Sequence, residues 1–180
     1  MGDITQLVAG ERWRGWRIAM WGAAAILLSL PAIAMQFTSD VNWTASDFVV
    51  MGTMLGTACM ACEAAARVSG SGSYRVATGI AVGVAFVTVW ANLAVGMIGD
   101  EGNSLNLLFG GVLALALVGS IVADFRPAGM ARTMVVTGVA QGLAGAAGLF
   151  TDPRGAAFSM AFALPWLLSA CQFRKASREP

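Results

Sequence analysis

The side chains best suited to chemistry stand in two short polar runs. The first is Gln36-Phe-Thr-Ser-Asp40-Val-Asn42-Trp43-Thr44-Ala-Ser46-Asp47, and the second is Gly99-Asp100-Glu101-Gly102-Asn103-Ser104-Leu105-Asn106. Asp40, Asp47, Asp100 and Glu101 bring carboxylates, and Asn42, Asn103 and Asn106 bring carboxamides, with Trp43 among them. Such groups suit a hard cation or a polar ligand, and they could equally form a surface for a partner. The competing use is local: Ser46 or Asp47 can cap the helix that follows, as can Asn103 or Ser104. The Asp-x-Asp pattern of a calcium loop is absent.

Deeper polar residues extend the first reading. Thr88, Trp90, Asn92 and Gln141 lie in otherwise apolar stretches. Trp90, Asn92 and Gln141 could wall an outward-open pocket beneath the acidic runs, with Trp166 as a further wall. Alternatively, such polar groups bond to a neighbouring helix. Sulfur offers a different chemistry. Met51, Met54, Cys59 and Cys62 recur at offsets that fall within about 140° of arc at 100° per residue, and soft ligands of this kind select Cu(I)-like ions. With 10 Met in the chain, ordinary apolar filling is the competing reading. Glu63 with Arg67, and Asp124 with Arg126, read as local ion pairs.

Other chemistries lack their residues. The chain has no His, the commonest metal ligand and the usual general base near neutral pH. Nucleophile-elbow, phosphate-loop and dinucleotide motifs are missing. No enzyme activity and no cofactor are expected. No basic run supports nucleic-acid binding.

The elements that position these groups follow from composition. Of 180 residues, 57% are hydrophobic and 12% charged, against about 25% charged in a soluble domain. Lipid is therefore the expected solvent. Six stretches approach the roughly 20 residues needed to span a bilayer, at 18–36, 48–66, 76–98, 105–123, 133–150 and 156–173. Backbone groups in hydrocarbon must be satisfied within the segment, so these are helices; they lack the alternation of barrel strands. The reading predicts an all-α, six-transmembrane-helix bundle in a single membrane domain, its first stretch not a cleaved signal.

Charge supplies an orientation. Arg12, Arg14, Arg17, Arg67, Arg75, Arg126, Arg132, Arg174, Lys175 and Arg178 fall on one side of the six stretches, and Arg154 alone on the other. The bias of basic residues toward the cytoplasm puts both termini there, with Trp13 and Trp16 at the inner interface and Trp43 at the outer. Gly52-x-x-x-Gly56, Gly79-x-x-x-Gly83 and Gly138-x-x-x-Gly142 place paired glycines on helix faces, which lets helices approach closely. Pro31 and Pro165 are expected to kink their helices. Ala85-Phe86-x-x-x-Trp90-x-x-x-Ala94 matches Ala161-Phe162-x-x-x-Trp166-x-x-x-Ala170, the kind of match an inverted repeat would leave.

Four segments carry a resemblance: Met35-Gln-Phe-Thr-x-Asp40-Val-Asn-Trp43, Val89-Trp90-Ala-Asn92-Leu-Ala-Val-Gly-x-Ile98-Gly99, Phe125-Arg126-Pro-x-Gly129-Met130-Ala131-Arg132 and Pro165-Trp-Leu-Leu-Ser169-Ala170. Together they resemble a family of small, uncharacterised bacterial multi-pass inner-membrane proteins. The resemblance implies an inner-membrane location and brings no site residues. The expected function is a small accessory or interaction subunit that meets a protein partner or its own copies within the lipid bilayer. The alternatives are a carrier or binder of a small polar solute or cation, and a soft-metal path.

Overall fold

The computed structural model describes the backbone of residues 2–179 and the side chains of residues 15–179. Trp13, placed above at the inner interface, and Arg12 and Arg14, counted on the cytoplasmic side, have side chains outside the described residues. Seven helices follow in order: α1 (Gly2–Ala34), α2 (Ala45–Val68), α3 (Gly72–Ala94), α4 (Leu107–Val122), α5 (Pro127–Ala146), α6 (Pro153–Ala161) and α7 (Ala163–Ala176), with a single 3-10 turn at Ser104–Asn106 before α4. Among the described residues there is no strand. Among the described residues five segments are long and apolar enough to cross a membrane: Gly15–Ala34, Ala45–Val68, Gly72–Ala94, Ser104–Val122 and Pro153–Ala176.

The fifth expected span, 133–150, is α5, which is not among those five. It starts earlier, at Pro127, whose missing N–H suits a first helical position, and it carries Arg132, Thr133, Thr137 and Gln141. Its packing accounts for the lower apolarity. α5 contacts α4, α6 and α7, so much of its surface meets protein. The sixth span is one helix in sequence and two in space. It breaks at Phe162, whose N–H bonds back only three residues to Ser159 (3.2 Å). Pro165 has no N–H to offer the Ala161 carbonyl four residues earlier, which loosens that turn. α1 by contrast runs through Pro31 and ends three residues later.

The chain forms two compact units, residues 1–63 and 64–180, divided inside α2 rather than at the Ser69-Gly-Ser-Gly-Ser loop. In the first unit, Leu28 Cδ2 lies 3.5 Å from where a Cβ on Gly52 would stand. Glu63, 8% exposed, takes Arg17 at 3.0 Å and the Trp21 indole N–H at 3.4 Å. A carboxylate buried on an apolar helix requires such partners. Arg17 lies 46 positions from Glu63, beyond the reach of a local-spacing argument.

In the second unit several polar side chains are enclosed with the apolar core, while large apolar side chains face outward. Thr88, Thr137, Gln141, Ser159 and Ser169 are fully enclosed, while Leu107, Val122 and Phe150 are 79%, 80% and 99% exposed. One apolar cluster joins α3, α5 and α7 around Tyr74, Met134, Trp166 and Phe173. A second gathers Met97, Ile98, Phe109, Val112 and Ala144. Gly138 lets α7 close on α5, because a Cβ there would sit 3.2–3.3 Å from Leu167 and Trp166; Gly142 has Ala163 at 4.0 Å. Gly145 continues that seam and is tighter, with a Cβ 2.7 Å from the Met160 backbone nitrogen. The two segments that suggested an internal repeat are not equivalent: α3 is unbroken, and Trp90 is 47% exposed where Trp166 is 1%.

Candidate functional site

Each polar run is first a device for starting a helix. In the first run Thr44 precedes α2 and Asp47 is its third residue. The Asp47 carboxylate accepts the Thr44 N–H at 2.7 Å and the Thr44 hydroxyl at 2.8 Å, the reach-back half of a capping box. Trp43, just ahead of Thr44, meets Phe48 edge-on with ring centroids 5.3 Å apart, which is the hydrophobic staple that accompanies such a box. Ser46 hydrogen-bonds Thr44 Oγ1 at 2.7 Å. Asp40 and Asn42 are exposed.

The second run folds around Asn106. This side chain, 5% exposed, accepts the N–H groups of Met97 (3.0 Å) and Ile98 (2.9 Å). Its Nδ2 donates to the Asp100 carbonyl at 2.7 Å, and the main-chain carbonyl of Asn106 accepts Asn92 Nδ2 at 3.1 Å. The backbone returns sharply at Gly96, φ +77°, where a Cβ would lie 2.5 Å from the Asp100 carbonyl oxygen; glycine is required. Asn103 caps the 3-10 turn by accepting the Leu105 N–H at 3.0 Å, and Asp100 accepts the Gly102 N–H at 3.1 Å. The side chain of Glu101 is exposed.

Asp152 links this loop to α6. One carboxylate oxygen caps α6 through the Gly155 N–H at 3.0 Å, and the other accepts the Gly99 N–H at 2.8 Å. These N–H donors, Gly155 first and Gly99 second, hold the carboxyl below its ordinary range, since they bond to its charged form. Ser159 donates to the Met97 carbonyl at 2.8 Å, and Gln141 Nε2 donates to the Ser159 carbonyl at 3.1 Å. The close approach at Gly145 brings that carbonyl within reach. A polar path thus runs from the 95–106 loop through Ser159 to Gln141.

The path ends at Gln141, whose Oε1 has no hydrogen-bond partner among the described residues; Thr137 Oγ1, Trp166 Nε1 and Asn92 Oδ1 share that condition. Thr137 and Gln141 are four residues apart on one face of α5, and Gly138 between them packs on Trp166. Thr88 uses its hydroxyl on the Val84 carbonyl at 2.8 Å. Trp90 does not join Asn92 and Gln141 as a pocket wall. Two residues along a helix turn about 200°, so with Asn92 turned to the loop, Trp90 faces away and is 47% exposed. Trp166 and Thr137 belong to the interior polar set instead; Trp166 was marginal by sequence, and Thr137 carried no signal beyond its spacing to Gln141.

The sulfur residues lie on α2. Cys59 is buried, Cys62 half-buried, and both are free thiols; Met51 and Met54 are half-buried. Among the described residues no group of three or more His, Cys, Asp or Glu is placed to hold a metal. Asp124 and Arg126 pair at 3.4 Å in full exposure.

Among the described residues the fold is all-helical, with five helical segments long and apolar enough to cross a membrane. Comparison with family models, with curated proteins and with solved structures finds no match.

Proposed function

We propose that this chain is a multi-pass protein of the bacterial inner membrane, with six crossings and both termini in the cytoplasm, serving as a small accessory or interaction subunit. α5 makes the sixth crossing, tolerated by lipid because three helices surround much of it. The membrane assignment rests on the large apolar side chains that the 64–180 unit exposes, Leu107, Val122 and Phe150 among them, and on the one-sided basic residues. The observation that carries the interaction role is the glycine face of α3. Among the described residues of the 64–180 unit, a Cβ on Gly79 or Gly83 would meet nothing within 4 Å, whereas Gly138 is already tightly packed. Close-packing glycines left open suit a second membrane helix. Cross-linking at this face in native membranes, followed by purification in mild detergent, tests the reading. The expected result is a covalent adduct with a second chain, lost in Gly79→Leu/Gly83→Leu. A lone monomer at native expression, without an adduct, refutes it.

A second reading has its own support. The unpartnered Gln141 Oε1, Thr137 Oγ1 and Trp166 Nε1 favour a small, neutral hydrogen-bonding solute held in the interior. The test is thermal stabilisation by a panel of such solutes, with Gln141→Leu abolishing any shift. A panel without a single shift ends this reading.

A further inference from the structure

At the far end of α7 from the helix break, a cleft of about 300 Å³ is lined by Cys171, Arg174, Lys175, Arg178 and Glu179. Three cations face one carboxylate. That carboxylate is already engaged: it accepts the Ser71 hydroxyl at 2.6 Å and the Ser73 hydroxyl at 2.5 Å, at the start of α3. Those two hydroxyls, Ser71 first, hold Glu179 ionised below its ordinary range, with Lys175 adding a smaller pull. Glu179 thus ties the tail to α3 and leaves the cleft with a cationic surplus. Backbone bonds from Arg178 N to the Lys175 carbonyl (3.0 Å) and from Glu179 N to the Ala176 carbonyl (3.3 Å) continue the turn past α7, so Arg178 stays beside Lys175.

The apolar surface leading to this cleft has the matching shape. Leu164, Leu168, Cys171 and Lys175 fall within about 60° of arc on α7 at 100° per residue. Leu164 and Leu168 are 62% and 59% exposed, and Cys171 is exposed. One helix face is therefore apolar over two turns and then cationic at its end. We propose that this stripe and cleft bind one anionic phospholipid, its acyl chain along Leu164 and Leu168 and its phosphate among Arg174, Lys175 and Arg178. The charge sign and the continuity of the apolar stripe select this occupant, since basic pockets at the cytoplasmic membrane face recognise anionic headgroups. The inference rests on the membrane reading above.

The test places the full chain in nanodiscs of phosphatidylcholine with a minor fraction of phosphatidylglycerol, and measures retained lipid by native mass spectrometry. Wild type is expected to retain phosphatidylglycerol preferentially. Arg174→Gln/Arg178→Gln should lose that preference by about 25-fold, at about fivefold per cation, while melting in pure phosphatidylcholine discs as wild type does. Arg126→Gln/Arg132→Gln removes the same formal charge elsewhere and should keep the preference. An equal loss in both variants would overturn the proposal in favour of general surface attraction. Inorganic phosphate stabilising the chain in phosphatidylcholine discs as strongly as phosphatidylglycerol does would also overturn it, in favour of a free-anion site. Release of the wild-type chain from membranes by alkaline carbonate would instead sink the membrane reading itself, and the lipid site with it.

Discussion

Replacing Asn106 by Ala is the sharpest perturbation the fold offers. The side chain closes three hydrogen bonds, from Met97 N–H, from Ile98 N–H and to the Asp100 carbonyl, at 2.7–3.0 Å. Met97 is 2% exposed and Ile98 is fully buried, so water cannot readily take over their donors. A net hydrogen bond contributes about 1 kcal/mol, and an orphaned buried partner costs about 1–3 kcal/mol. Three partners orphaned together give a loss of about 3–5 kcal/mol, a large share of the roughly 5–15 kcal/mol that stabilises a domain. Asn106→Asp separates the contributions. It keeps an acceptor for the two N–H groups but sets a carboxylate oxygen against the Asp100 carbonyl, so it should be milder than Ala yet below wild type. Equilibrium unfolding in mixed micelles reads both, and amide exchange at Met97 and Ile98 should rise in the Ala variant before global unfolding. An Ala variant within about 0.5 kcal/mol of wild type would refute the assignment of Asn106 as the tie of this loop.

Other expectations follow from single contacts. Gly96→Ala places a Cβ against the Asp100 carbonyl at φ +77° and should destabilise by about 1–3 kcal/mol, read as a lower unfolding midpoint, whereas Gly56→Ala, with open space around it, should not. The Asp152 carboxyl is depressed below the usual value of 3.8, so its contribution is present above pH about 4 and lost as pH falls through the lower folded value; Asp152→Asn, which can still cap, should flatten the acid limb of a melting-temperature profile. Thr137→Val replaces an unpartnered hydroxyl with a methyl of similar shape and should be neutral or stabilising by up to about 1 kcal/mol; a clear loss of stability would show that the hydroxyl is hydrogen-bonded in solution.

Legibility in the sequence tracked the range of each interaction. Helix starts depend on neighbours within four residues, so Thr44–Asp47 and the Asn103 cap lie in the segments where caps were expected, though Thr44 itself was passed over for Ser46. All-helical architecture followed from the length of the apolar stretches. The break at Phe162 displaced the expected kink by three residues, because Pro165 acts on the turn before it. What spacing alone could not supply were partners distant in the chain: Arg17 for Glu63, Ser159 for Met97, Asp152 for Gly99. Gly145 lies outside the four-residue glycine spacing, because the packed seam of α5 runs over the seven residues from Gly138. Depth in the span does not place Trp90, because helical phase turns it away from Asn92.

The placement of these contacts narrows where an activity could reside. Asp47, Asp100, Asp152, Asn103 and Asn106 each satisfy backbone N–H groups that the chain would otherwise leave open, and a side chain spent in that way cannot release its partner to a ligand without unfolding the turn it holds. Glu101, Asp40 and Asn42 remain exposed and outside any such bond, but exposed carboxylates and carboxamides hold a ligand weakly because water competes for every contact. The interior set differs in kind. Gln141 spends its N–H on a helix-break carbonyl and keeps its oxygen unspent; the Thr137 hydroxyl one helical turn away and the enclosed Trp166 indole on α7 are in the same condition, where an unmet group costs most. Retaining three such groups without return would weaken the bundle. A polar molecule meeting them would recover that energy, so the interior of α5 and α7, rather than the acidic loops, is where ligand binding would be most strongly coupled to stability.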